Sequence, residues 1–130
     1  MKFYVASSFQ NINQVRTITK ELIQIGGHLS YDWTLNERAD SIEDLQRIGS
    51  LEKAAIEDSE LVIIVLPGGN GTHIELGLAI AGKKKIILFS PDHKIMDAET
   101  STTFYHLPEI EKCFGSIEKC IDKVKFIFPS

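Results

Sequence analysis

The residues best equipped for chemistry lie in segment 66–77, LPGGNGTHIELG. Gly68, Gly69 and Gly71 let the backbone turn sharply and approach a ligand closely. The turn leads into a helix whose free amides and dipole favour an anion at its start, beside Thr72 and His73. Glu75 follows, and no other acid stands between Glu60 and Asp92. Two readings of it are open. Thr72-His73-Ile74-Glu75 fits a capping box, in which Glu75 would bond the Thr72 amide and do nothing else. Alternatively the carboxylate faces a cleft. A helix N-terminus would keep it ionised there, ready to act as a nucleophile or to stabilise positive charge.

Glu52 is the second anomaly. Placed at helical spacing, Ile42, Leu45, Ile48, Leu51, Ala55 and Ile56 form one apolar arc, and Glu52 falls inside it. A carboxylate facing a core is costly unless it is paired or functional. The alternative is a residue at the stripe's edge that reaches solvent or a lysine. Asp32-Trp33 sets an acid beside a flat apolar surface that suits hydrogen bonding and stacking of a nucleobase, or else forms a turn aspartate with a core-covering tryptophan. Ser7 and Phe9 fall at the end of another strand and could line the same cleft, or be ordinary loop residues. A triad assembled from Ser8, His73 and Asp32 has no GxSxG elbow to support it. His28, His93 and His106 lack metal-ligand spacing, and Cys113 and Cys120 match no zinc pattern, so neither a metal nor a cofactor is implied. Lys83-Lys84-Lys85 reads as a solvated helix end.

These residues need a scaffold. Short apolar runs at 2–6, 28–31, 61–66 and 85–89 read as strands, with 61–66 (LVIIVL) apolar on both faces as a central parallel strand requires. Helical spacing covers about 11–25, ended by Gly26-Gly27, then 41–58 with Ser41 as N-cap, 73–81, and 116–125. Residues 90–103 read as a long loop, and 107–114 as a short helix, a strand, or one running into the other. The alternation predicts an α/β fold: a doubly wound, flavodoxin-like three-layer sandwich with a parallel sheet of about five strands. In such sheets ligands bind beyond the carboxyl ends of the strands, where Ser7-Ser8-Phe9, Asp32-Trp33 and the glycine turn all fall. With 130 residues, 43% hydrophobic and 25% charged, one domain over 1–130 is expected. A net charge of −4 argues against a nucleic-acid polymer as partner. No apolar run approaches a membrane-spanning length, and MKFYVASSF lacks the order of a signal peptide, so a cytoplasmic setting is expected.

Together FYVASSF, YDWT and LPGGNGTHIELG resemble the nucleoside 2-deoxyribosyltransferase-like family, which includes deoxynucleoside-monophosphate N-glycosidases. The resemblance runs to Phe89. It implies that Glu75, in Glu-Leu-Gly, is the nucleophile. It also implies that Glu52, where better-known members carry Asp, helps protonate the leaving base, a role that Asp32 could fill instead. PGGNGTHIE is also similar to the PGGxGTxxE motif of cytokinin-activating phosphoribohydrolases, although their arginines are absent here. Both resemblances imply cleavage or exchange of an N-glycosidic bond in a nucleoside or nucleoside 5′-monophosphate, with retention at C1′. Trp33 and Phe9 would sandwich the base, and the glycine turn with Thr72 would hold the ribose or phosphate. A homodimer closing the site is implied as well; small Gly77, Ala79 and Ala81 suit such packing, or packing on the sheet. A TIR-type NAD nucleosidase and a non-catalytic nucleotide sensor are the competing readings.

Overall fold

The computed structural model describes residues 1–129. Five parallel strands form one sheet in the order β2-β1-β3-β4-β5: β1 (Lys2–Ala6), β2 (His28–Leu29), β3 (Leu61–Val65), β4 (Lys85–Ser90) and β5 (Ile110–Phe114). Every residue of β3 is buried, as a strand flanked on both edges and both faces must be. Helices α1 (Ile12–Gln24) and α4 (Ile117–Ile127) pack together on one face of the sheet. Helices α2 (Ile42–Asp58) and α3 (Asn70–Ala81) pack together on the other. This is the doubly wound, flavodoxin-like arrangement expected. The β4–β5 crossover carries only two short 3-10 turns, Lys94–Met96 and Thr103–His106, in place of a helix. Among the described residues, no helix is long and apolar enough to cross a membrane.

Local chemistry accounts for most boundaries. Gly26 ends α1 at φ 99°, a conformation that side-chain-bearing residues avoid. Ser41 caps α2 by accepting from the Asp44 amide at 3.0 Å, and Ser116 caps α4 through the Lys119 amide at 3.4 Å. The open segment 107–114 resolves as strand β5, since its Ile110 and Cys113 are buried beside β4. Strand β2 keeps only two paired residues of the four expected.

Two departures matter for the site. Helix α3 begins at Asn70, one turn before the expected start, with Gly69 as its N-cap. Thr72 is therefore inside the helix and cannot cap it, which removes the capping-box role for Glu75. The other departure is in α2. Its apolar arc was expected to face the core, yet only Ala55 and Ile56 are buried. Ile42 is 78% exposed and Leu45 58% exposed. The N-terminal half of the helix overhangs a cavity instead of packing on the sheet.

Candidate active site

The sheet order places β1 between β2 and β3, where the chain reverses its winding direction and an α/β sheet opens a crevice. A cavity of about 500 Å³ lies there, framed by the β1 and β3 loops, the 36–39 segment and the first turns of α2 and α3. Of the residues singled out from sequence, Ser7, Phe9, Trp33, Glu52, Gly69, Gly71, Thr72 and Glu75 line it.

Behind the two carboxyls stands Tyr4, fully buried in β1. Its hydroxyl makes a short hydrogen bond to Glu75 Oε2 and lies 3.3 Å from Glu52 Oε2. One hydroxyl has one proton to donate, so it serves one carboxylate at a time; the other carboxyl is satisfied best when it carries a proton of its own. The electrostatics agree. Burial pushes Glu75 up to about 8, with the Glu52 charge adding to the rise and the Tyr4 hydrogen bond opposing it. Burial also raises Glu52, again opposed by Tyr4. Burial and then the two carboxylates raise the Tyr4 hydroxyl, which stays protonated. The expectation that a helix N-terminus keeps Glu75 ionised is thus corrected. The residue sits past the first turn, 8% exposed, and desolvation outweighs the dipole.

The remaining side chains shape the walls. Trp33 is buried and donates from Nε1 to the Val5 carbonyl at 2.7 Å. Phe9 meets it edge-on, with centroids 5.3 Å apart and planes at 87°. The two rings touch each other and leave no gap of a base's width between them; Phe9, 56% exposed, offers the open face. Ser7 donates to the Val65 carbonyl at 2.8 Å and accepts from Asn11, which also donates to the Pro67 carbonyl at 2.7 Å. Those bonds tie the β1 loop to the glycine turn.

Three expected residues stand outside the cavity lining. Asp32 turns back to accept from the Thr34 amide at 3.0 Å, capping a 3-10 turn, Trp33–Leu35. Gly68 lines a separate cavity of about 290 Å³ with Leu66, Pro67 and Tyr105. A Cβ there would meet Thr72 Cγ2 at 2.5 Å, so this glycine serves close packing. His73 is held by the Gly69 carbonyl and by the Tyr105 hydroxyl, on the side of the β4–β5 crossover. A Ser101–His106 contact of 2.9 Å is no nucleophile–base pair. Lys112 Nζ can only donate to His106 Nδ1, so Nε2 bears the proton and donates to the Ile95 carbonyl.

Sequence reasoning missed Tyr4 as the partner of both carboxyls, and the 36–39 wall, Leu45 and Ile48 as lining residues. A signal for Tyr4 exists. It is the one polar side chain inside an otherwise apolar central strand after Lys2, and a buried tyrosine hydroxyl needs a partner.

Comparison with known proteins bears mainly on the fold. No protein-family model matches the chain, and no curated protein matches it by sequence. Solved structures do resemble it, among them the following two. The CMP N-glycosidase BcmB of Clostridium botulinum superposes with a TM-score of 0.70 over 98% of this chain and 100% of its own, at 20% identity. The 2-deoxyribosyltransferase of Bacillus psychrosaccharolyticus superposes with a TM-score of 0.56 over 78% of this chain and 82% of its own, at 25% identity. In fold as in its sequence segments, the chain resembles the nucleoside 2-deoxyribosyltransferase-like family.

Proposed function

We propose that this protein cleaves or exchanges the N-glycosidic bond of a (deoxy)nucleoside or nucleoside 5′-monophosphate. The observation that carries the reading is the buried Tyr4 hydroxyl bonded to both the Glu52 and Glu75 carboxyls, which line the cavity. Such an array holds one proton among two acids, which is the charge state that glycosidic cleavage by a carboxylate pair requires. Burial favours the proton on Glu75 in the free protein; the reacting form is the tautomer in which that proton has passed to Glu52, so that Glu75, accepting from Tyr4, meets the electron-poor C1′ as the anion. Glu52 carries the proton and passes it to the departing base. Water or a second base then releases the sugar with net retention. Because the cavity is partly shielded from bulk water, the carboxylate stabilises an oxocarbenium-like centre far more than it would in solution. The two structural neighbours, an N-glycosidase and a deoxyribosyltransferase, support this class of reaction.

In this mechanism the base lies on Phe9, and the start of α3 at Gly69, Gly71 and Thr72 faces the ribose or a 5′-phosphate. No cofactor takes part. The protein acts as a homodimer through exposed apolar side chains on the α2/α3 face, Ile42 and Ile74, with Gly77 and Ala81 also exposed. Ala79, expected to join such a contact, is buried and unavailable to it. Its setting is the cytoplasm, where the free thiols of Cys113 and Cys120 persist.

The test is incubation with nucleosides, nucleoside monophosphates and NAD, with and without an acceptor base, read by mass spectrometry. Release of a free base by the wild type, lost in Glu75→Gln, is expected. Undiminished release by that variant removes Glu75 from the chemistry; release of nicotinamide alone would replace the substrate. Light scattering that shows a monomer at high concentration would refute the dimer.

A further inference from the structure

Resting on the glycosidase reading, we propose that the first two turns of α2 form a flap that closes on the leaving base about Gly49-Ser50, with Leu45 and Ile48 as the residues that grip it. Three observations converge. First, α2 is anchored only near its C-terminal end, by Ala55 and Ile56. Its N-terminal half has the Ser41 cap and no buried residue. Leu45, 58% exposed, and half-buried Ile48 face the cavity that also holds Phe9, Glu52 and Glu75. Large apolar side chains turned toward a wet cavity gain most when an apolar-faced ligand covers them.

Second, Gly49 has no static reason to be glycine. Its φ is not positive, and a Cβ there would have nothing within 4 Å. Glycine inside a helix lowers stability relative to alanine, and Gly/Ser pairs are sites of helix bending. Third, the hinge separates cover from chemistry. Glu52 lies beyond it on the anchored half, bonded to Tyr4, whereas Leu45 and Ile48 lie before it. Closure therefore moves the apolar wall toward Phe9, clamps a planar base between them, and excludes water without displacing either carboxyl.

The test combines hydrogen exchange with kinetics. In the free wild type, amides of Gln46 to Gly49 should exchange at least 10-fold faster than those of Lys53 to Ile56; equal protection overturns the flap. Gly49→Ala should raise Tm by about 2–5 °C, slow exchange at 46–49, and lower kcat/KM about 5–10-fold. Unchanged kcat/KM in a stabilised Gly49→Ala variant also overturns it. Leu45→Ala and Ile48→Ala should raise KM several-fold, more for purine than for pyrimidine substrates, with kcat changed less; an unmoved KM removes their role as the grip. If the wild type turns over no nucleoside or nucleotide, the glycosidase reading fails, and the exchange data alone then decide the hinge.

Discussion

Helices α1 and α2 carry the same kind of sequence signal and use it differently. Each shows apolar residues at helical spacing. In α1 the stripe is spent on the core, with Val15, Ile18 and Leu22 all buried. In α2 only the last two members of the arc are buried, and of the earlier ones Leu45 and Ile48 border a cavity that two carboxyls also line. An amphipathic period says that one face of a helix avoids water. It does not say whether protein or ligand provides the cover. The difference teaches where stability and function separate: α1 holds the sheet together, and α2 leaves part of its apolar face open.

Mutations can break or sharpen this contrast. The largest effect is expected at the carboxyl that α3 brings beneath α2. Glu75→Gln should lower kcat/KM by at least about 1,000-fold, near 4 kcal/mol of transition-state stabilisation, while folding as well as the wild type. Next comes the core stripe: Leu22→Ala should cost about 3 kcal/mol in urea unfolding. Leu45→Ala, on the open stripe, should cost less than about 1 kcal/mol, because Leu45 is more than half exposed. Equal costs at the two positions would erase the distinction between the helices.

The pH dependence of stability tests the buried acid. Glu75 ionises near 4.5 when unfolded and near 8 when folded, so the folded state holds the extra proton between those values. Stability should therefore be greatest below about pH 4.5 as far as this group is concerned, and fall as pH rises toward 8. Glu75→Gln should flatten that fall, by up to a few kcal/mol, in urea midpoints compared at pH 5 and pH 8.5. A smaller effect on catalysis than that of Glu75→Gln belongs to Tyr4→Phe. It removes the hydrogen bond that draws Glu75 downward. The acidic limb of the kcat/KM profile should then move up by roughly a unit, with a loss on the order of 10-fold at neutral pH.

Much of the scaffold was legible in residue order. The strands 2–6, 61–66 and 85–89 announced themselves as apolar runs, and Gly26, Ser41 and Ser116 marked helix ends by their local chemistry. Glu75 and Glu52 stood out because each was a charge among apolar neighbours, and such isolation is visible without coordinates. The boundary of α3 was less legible. Asn70-Gly71-Thr72 has turn-like composition, and its place in the helix goes with the burial of Thr72 against Gly68, a tertiary contact. Asp32 and His73 misled for a related reason: a polar side chain beside a strand end can bond its own backbone or a crossover loop as readily as a ligand.

Period, capping and glycine placement are short-range properties, and they set this chain's alternation of strand and helix, its parallel sheet and two suspect acids. Tertiary structure decided the rest, because contacts between residues far apart in sequence do not follow from local pattern. Only the sheet order brings Tyr4 of β1 up to carboxyls from two different helices. Only burial there reverses the proton affinity that a helix N-terminus alone would have suggested for Glu75. Whether an apolar stripe meets protein or an open cavity was settled by which turns of α2 are buried and which line the cavity.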